Sequence, residues 1–468
     1  MSPTAVPPTD RSRTRRAARA AARRDPPVTG ARGTRLDRAL AAVLIVLSVL
    51  PYAAVPLGSN TNLPLSSLVA VVLIVRCGRH MPVMWTALLV GAVPFAASFL
   101  RMFFTSQPLQ IPGSITWLVF TLPLAGTAAA TVFLGARTIP WLSWAMLLSA
   151  GFTLVQKYVF FDVLDTIPFE GLYDLPGYAN VSDFSETFMQ YVRRPFGLFP
   201  ETSFMVGTLS LMAMALVLLA RHYRRRMTAR DVVALALVLW AVAISGSGAA
   251  VVVLGVVLVA AIAPYAVRHA WAAVLLVPTG LAGAVWVGVG VLQDRQESFN
   301  WSWADRGSSI TASVRYLFSD PLVFLLGVGR GRSNELFLAG RMPLGDLQHY
   351  NPLPDIYSVI GRVVLEDGMV FGLALVLFMA VMCLRSGGRN PLWLGLCTLV
   401  VWIVVAGGTT SYDSAFWVWG TAGVCLGLEI TRSEDTRETA APWAPEGAES
   451  IGAPTAAPTG PAGPSPHL

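Results

Sequence analysis

Charge is scarce in this chain, and lysine is almost missing. Only 13% of the 468 residues are Asp, Glu, Lys or Arg, about half the quarter that soluble domains carry, so a soluble globular protein is excluded. Lys157 is the only lysine among 34 basic residues; a GC-rich genome gives the same bias, so it bears no functional weight. The four cysteines, Cys77, Cys383, Cys397 and Cys425, lie in or beside apolar runs, which indicates neither a disulfide framework nor a metal site. Histidine is equally sparse at five residues. No G-x-x-x-x-G-K-[ST] loop is present. What remains is apolar: 54% of the residues are hydrophobic, and the net charge of +7 sits in tails and breaks between apolar runs. That charge suits lipid headgroups rather than nucleic acid.

The expected fold class is an all-α integral membrane protein. Counting roughly 20 apolar residues per crossing predicts about twelve transmembrane helices: 39–57, 62–76, 83–104, 114–135, 140–160, 200–220, 231–247, 249–267, 270–292, 363–384, 391–408 and 413–430. Pro51, Pro56, Pro94 and Pro123 fall inside these runs and are expected to kink them. Residues 1–38 are basic, too long and too charged for the start of a cleaved leader, so the first run reads as an uncleaved anchor. Arginines recur on alternate breaks: the N-terminal tail, Arg76 with Arg79, Arg137, Arg221 to Arg230, Arg268, and Arg385 with Arg389. Basic breaks stay cytoplasmic, which places both termini inside and makes the chain a multi-pass protein of the cytoplasmic membrane. The expected domains are a largely disordered basic tail over 1–38, a membrane domain over 39–430, and a disordered Ala/Pro/Gly-rich tail over 431–468.

Against that rule, two outward segments carry arginines. Arg193 and Arg194 lie in segment 161–199; Arg295, Arg306, Arg315, Arg330, Arg332 and Arg341 lie in 293–362, the large loop between helices nine and ten. Exporting so many guanidiniums points to an anionic, phosphate-bearing substrate outside the cytoplasm. The run Arg193-Arg194-Pro-Phe-Gly197-Leu-Phe-Pro200-Glu201-Thr202-Ser203 couples guanidiniums to a helix start, where Pro suits the first turn and backbone N–H groups await an anion. Glu201 there reads as a general base or as the group that orients Arg194. The same run also fits a helix cap with arginines reaching to headgroups. A second run, Pro321 to Ser333 with Gly327, Gly329 and Gly331, reads either as a Gly-rich phosphate cradle or as a flexible turn. A third holds His349, the one histidine expected outside the cytoplasm, near Asp355 and followed by Glu366-Asp367-Gly368 and Gly372. Imidazole titrates near neutral pH, which suits general base work, although a lone histidine is more often structural.

The series Arg194-x-x-Gly197-x-Phe199, Ser245-Gly-Ser247, Pro321 to Gly331, and Asp355 through Gly368 and Gly372 resembles the O-antigen polymerase/ligase superfamily, over roughly residues 190–375 by motif. The resemblance implies a polytopic glycosyltransferase that moves glycan from an undecaprenyl-diphosphate carrier to an acceptor glycan without a metal ion or other cofactor. Residue by residue it matches Arg194 to the arginine before the sixth span, Gly327 and Gly329 to the Gly-x-Gly turn, and His349 to the ligases' loop histidine. Two departures separate this chain from ligases: Ser247-Gly248 stands where they have Ser-Arg, and Tyr350 separates His349 from Asn351. Glu201 after Pro200 is more like capsule and exopolysaccharide polymerases, so polymerisation is favoured over ligation.

The expected site therefore comprises Arg194, Glu201 and His349 as catalytic residues, with Arg193, Arg315, Arg330, Arg332, Arg341 and Asp355 binding substrate. The expected partners are the lipid-linked oligosaccharide, the acceptor glycan, the bilayer and other polysaccharide-assembly proteins. A lipid-linked glycan flippase is the leading rival; it calls for mid-membrane charges and paired broken helices. A non-catalytic scaffold is the second.

Overall fold

A computed structural model describes residues 33–56, 62–78, 83–105, 111–168, 193–199, 201–266, 301–342, 356, 358–385, 390–408 and 416–440. These residues are mostly helical. The helices are α1 (Arg35–Leu47), α2 (Leu65–Gly78), α3 (Val83–Phe104), α4 (Ile111–Leu134), α5 (Thr138–Val155), α6 (Thr202–His222), α7 (Ala229–Ala243), α8 (Gly248–Ala266), α9 (Trp301–Leu317), α10 (Pro321–Leu326), α11 (Ser333–Leu338), α12 (Val359–Arg385), α13 (Leu392–Gly408) and α14 (Phe416–Ala440). A short hairpin pairs β1 (Ala54–Pro56) antiparallel with β2 (Asn62–Pro64).

By length and composition, three helical stretches are apolar enough to cross a membrane: 122–161, Thr202–His222 and Val359–Arg385. The first of these joins α4 and α5 through the one-turn 3-10 segment Gly135–Arg137. Shorter apolar helices accompany them at Leu65–Cys77, Phe95–Phe104, Val252–Ala263 and Leu392–Gly408.

α6 is buried along its length among the described helices. Every residue from Ser203 to Ala220 is buried, as expected of a helix that is apolar all round, and α5, α7, α8, α13 and α14 pack on it. α14 lies close against α4. Gly420, Gly423 and Gly427 recur at three- and four-residue spacing on the face it presents, and a Cβ on Gly427 would sit 2.8 Å from the Ala128 carbonyl oxygen. Small residues let the two backbones approach, and Thr127 uses that approach to donate to the Gly420 carbonyl at 3.0 Å.

Three expectations are corrected. The first apolar run does not form one helix over 39–57: α1 stops at Leu47, Ser48 caps it by donating to the Ile45 carbonyl at 2.6 Å, and Pro51 follows in a turn. Proline removes an N–H and biases its predecessor away from helix, so the run cannot continue as helix through Pro51, and Pro56 falls in β1 instead of kinking a helix. At about 1.5 Å per residue α1 is about 20 Å long, short of a bilayer core of about 30 Å. At the other end, α14 runs to Ala440, ten residues past the expected boundary at 430, helped by Arg432 reaching back to Glu429 at 3.8 Å. The segment 293–362 also has structure of its own, in α9, α10 and α11. The expected span 270–292, most of the tail 1–38 and residues 441–468 lie outside the described residues.

The start of α1 is fixed by a capping box. The Thr34 hydroxyl accepts from the Asp37 N–H and Asp37 accepts from the Thr34 N–H, while Arg76 from the end of α2 pairs with the same carboxylate. Arg76, with help from Thr34, holds the Asp37 carboxyl below its usual range. A depressed carboxyl contributes stability above its unfolded value and loses it as pH falls through the folded one. Asp37→Asn is therefore expected to lower the melting temperature at neutral pH and to match wild type once the pH is well below about 4; a constant gap across that range would refute the pairing.

Candidate functional site

The segment before α6 is held by an irregular end of α5. At Gln156 the helix widens into a π-turn through Phe161, a distortion common at functional sites. The Gln156 side chain is fully buried, and its Oε1 accepts the N–H groups of Phe196 at 2.9 Å and Gly197 at 2.7 Å. Gly197 adopts φ +61, and a Cβ there would collide with the Thr153 hydroxyl. The Phe161 and Phe196 rings close the joint at 6.0 Å between centroids. Residues 193–199 are thus positioned by α5, not by α6 alone.

That joint presents Arg194. Its half-buried side chain lies on Gly246, in the turn between α7 and α8: a Cβ on Gly246 would be 3.2 Å from Nε and 3.7 Å from Cζ. Gly246 sits at φ +62, so this position needs glycine both for its backbone and for its neighbour. The turn belongs to Ser245-Gly246-Ser247, where the Ser245 hydroxyl donates to the Val242 carbonyl at 2.6 Å and accepts the Ser247 N–H at 3.2 Å. Among the described residues, no carboxylate stands within ion-pair distance of Arg194. A guanidinium beside the start of α8 therefore adds its charge to the positive end of a helix dipole.

Arg193 turns away and pairs with Asp165 at 2.8 Å, both exposed. Glu201 occupies the N-cap of α6 without capping it; its Oε1 accepts from the Ser203 hydroxyl at 2.8 Å. Pro200 lies outside the described residues, as do His349 and Asp355.

The glycine run of the long segment does something other than cradle phosphate. Asp320 caps α10 by accepting the Leu322 N–H at 2.8 Å, and Gly327 ends it. The N–H groups of Val328 and Gly329 then donate to the carbonyls of Leu365 and Glu366, both at 2.9 Å. Those carbonyls are exposed by a break in α12 at Gly368, φ +75. Arg330, only 1% exposed, forks onto Asp367 through Nε, at 2.8 Å, and Nη2, and reaches Glu366 through Nη1 at 3.2 Å. Glu366 also accepts from Ser333 at 2.7 Å and from Arg362 at 3.1 Å. Arg330, expected to hold diphosphate, has its fork filled by two carboxylates, and two of the N–H groups expected to cradle phosphate are bonded to backbone.

Arg332 is half-buried and meets Arg101 at Gly329, whereas Arg315 and Arg341 are exposed. No described contact joins Arg194 to the arginines of 293–362. Sequence reasoning noted Glu366 and Asp367 but did not pair them with Arg330; two carboxylates opening an apolar run were the signal, because such charges need partners. Gln156, a lone amide ending an apolar run, was the other missed residue. Among the described residues no three His, Cys, Asp or Glu side chains gather as metal ligands.

No protein-family model matches this chain, and no curated protein matches it.

Proposed function

We propose that this protein is a metal-independent membrane glycosyltransferase that polymerises a surface polysaccharide from an undecaprenyl-diphosphate-linked donor on the extracytoplasmic face. Arg194 against Gly246 is the observation that carries this reading. A guanidinium and a helix start that share one place, with no described carboxylate between them, are suited to an anion with two charges. In the proposed reaction the diphosphate of the donor lies at Arg194 and an acceptor hydroxyl attacks the anomeric carbon. The C–O bond to the diphosphate breaks, the lipid diphosphate leaves, and Glu201 or His349 takes the hydroxyl proton. Arg194 stabilises charge that grows on the leaving group in the transition state, which is where electrostatic catalysis is strongest.

The proposed topology has about twelve crossings and both termini cytoplasmic. One described face supports a crossing by α5 and α7. Trp141 and Trp144 are exposed at one end, with the Arg230 guanidinium 5.9 Å from the Trp144 ring, and Tyr158 and Trp240 are exposed at the other, joined by a 3.1 Å hydrogen bond. From Trp141 to Tyr158 the helix rises about 25 Å, a spacing that suits aromatic belts at two membrane interfaces.

Arg194→Ala and Arg194→Lys are the test, since lysine keeps the charge but loses the planar fork. With membrane insertion unchanged, both are expected to lose long-chain glycan while lipid-linked repeat units accumulate. Wild-type chain lengths in both would end the proposal. A single-length product passed to another acceptor would favour ligation, and failure of lipid-linked units to reach the outer leaflet would favour a flippase.

A further inference from the structure

The turn after α6 spends backbone strain on an arginine. The Arg224 N–H donates to the Arg221 carbonyl at 3.1 Å, and the Arg225 N–H to the Ala220 carbonyl at 3.0 Å. This is a Schellman closure, whose left-handed position is usually glycine. Here it is Arg224, at φ +49. Glycine would close the same turn without strain, so the side chain of Arg224 serves something beyond the fold. From the same turn Arg225 donates to the Ala136 carbonyl at 3.4 Å, which brings the turn against Arg137 in the joint between α4 and α5. Arg137, Arg221, Arg224 and Arg226 are exposed, and among the described residues none of them pairs with a carboxylate. The acid next along the chain, Asp231, is fully buried and already accepts from Arg230 at 3.1 Å and from the Ser143 hydroxyl at 2.7 Å. Membrane topology accounts for the sign of these residues, but not for their convergence or for the strained arginine.

The surroundings say what kind of anion this cluster suits. It stands at the start of α5, while Gln156 and the joint that presents Arg194 stand at the other end. Trp141, Trp144 and Leu148 recur at helical spacing along the outer face of α5, and all three are exposed. α7 packs beside α5 and exposes Val232, Val233 and Trp240. Arg230 joins the two parts, with its guanidinium 5.9 Å from the Trp144 ring. Guanidiniums above an open apolar face, with a tryptophan at the boundary, match an amphiphile with an anionic head.

We propose that Arg137, Arg224, Arg225 and Arg226 bind the phosphate of an anionic phospholipid, whose acyl chains lie along Trp144 and Leu148. In the proposed topology this is the cytoplasmic leaflet. The site shares no residue with Arg194, and it stands whether or not the chain transfers sugars.

The test is binding to the purified full-length protein in neutral detergent. The probes are phosphatidylglycerol and phosphatidylcholine, with inorganic diphosphate as a water-soluble competitor. Wild type is expected to retain phosphatidylglycerol over phosphatidylcholine by about tenfold or more, and diphosphate is expected not to displace it. Each arginine near an anionic headgroup is worth about fivefold in affinity. Arg137→Gln with Arg225→Gln is therefore expected to weaken phosphatidylglycerol by about tenfold or more, while lysine at both positions keeps most of the affinity. Equal retention of the two lipids, displacement by diphosphate, or wild-type affinity in the folded double variant overturns the site. Arg225 also holds the Ala136 carbonyl, so a second variant separates binding from folding. Arg224→Gly relieves the left-handed backbone and is expected to raise the melting temperature while weakening phosphatidylglycerol about fivefold. A stabilised Arg224→Gly protein with wild-type lipid affinity overturns the proposal even if the double variant fails to fold.

Discussion

Arg330→Ala is expected to destabilise the protein by about 3–5 kcal/mol, because it leaves two buried carboxylates without their shared counter-charge. Arg330 is 1% exposed, and its two partners are buried with it. Among the described residues, two guanidiniums meet two carboxylates there: Arg330 and Arg362 pair with Glu366 and Asp367. Removing either member of the Arg330–Asp367 pair exposes an ion to a medium that solvates it poorly, so Asp367→Ala is expected to cost a similar amount. The double variant Arg330→Met with Asp367→Leu removes both charges and fills the volume, so it should cost much less than the sum of the two truncations. Thermal unfolding of the detergent-purified protein measures all of these. Additive losses, or an Arg330→Ala variant within about 1 kcal/mol of wild type, would mean that the fork does not hold.

How far this was legible in the sequence differs by feature, for physical reasons. Helices longer than a few turns were readable because each buries a continuous apolar surface: the expected runs 83–104 and 200–220 correspond to Val83–Phe104 and Thr202–His222. The end of α1 was not read, since apolar residues continue through Pro51 and Pro56 and hydropathy is blind to a missing N–H. The extension of α14 beyond 430 was missed for the converse reason, because a polar stretch can stay helical on side-chain pairs and propensity. Near the candidate site, the sequence singled out Arg194 and the Ser245-Gly-Ser247 turn, yet nothing in their spacing says that one lies on the other. Long-range pairings of this kind depend on how α5, α6 and α8 pack. Arg330 shows the limit most plainly. An arginine among glycines has one composition whether its fork meets a phosphate or a carboxylate, and only the break in α12 at Gly368 decides which.

Substituting either glycine at that break is expected to be as damaging as losing an ion-pair partner. Gly327 and Gly368 both adopt backbone angles near φ +70 with ψ close to 180°, at φ 72, ψ -171 and φ 75, ψ -179, a region that residues with a Cβ scarcely enter, at a strain of about 1–3 kcal/mol. Each also faces the other: a Cβ on Gly327 would strike the Glu366 carbonyl, and a Cβ on Gly368 would strike the Gly327 amide and the Leu325 carbonyl. These obstacles are backbone, which cannot rotate aside, so the hydrogen bonds from Val328 and Gly329 to α12 would have to part. Parting them pulls Arg330 away from Asp367, and the ionic and backbone terms fall together. Gly327→Ala and Gly368→Ala are thus each expected to cost about 3 kcal/mol or more, and the pair less than their sum, since the first already opens the contact. Two controls separate this from a general intolerance of alanine. Gly340 shares a positive φ, at +66, but a Cβ there meets nothing within 4 Å, so Gly340→Ala should cost only about 1 kcal/mol. Gly151 sits within α5 with open space around it, and Gly151→Ala should be neutral or stabilise by up to about 1 kcal/mol. A Gly368→Ala variant as stable as Gly151→Ala would show that α12 runs through residue 368 unbroken, and the fork of Arg330 onto Asp367 would then have no helix end to receive it.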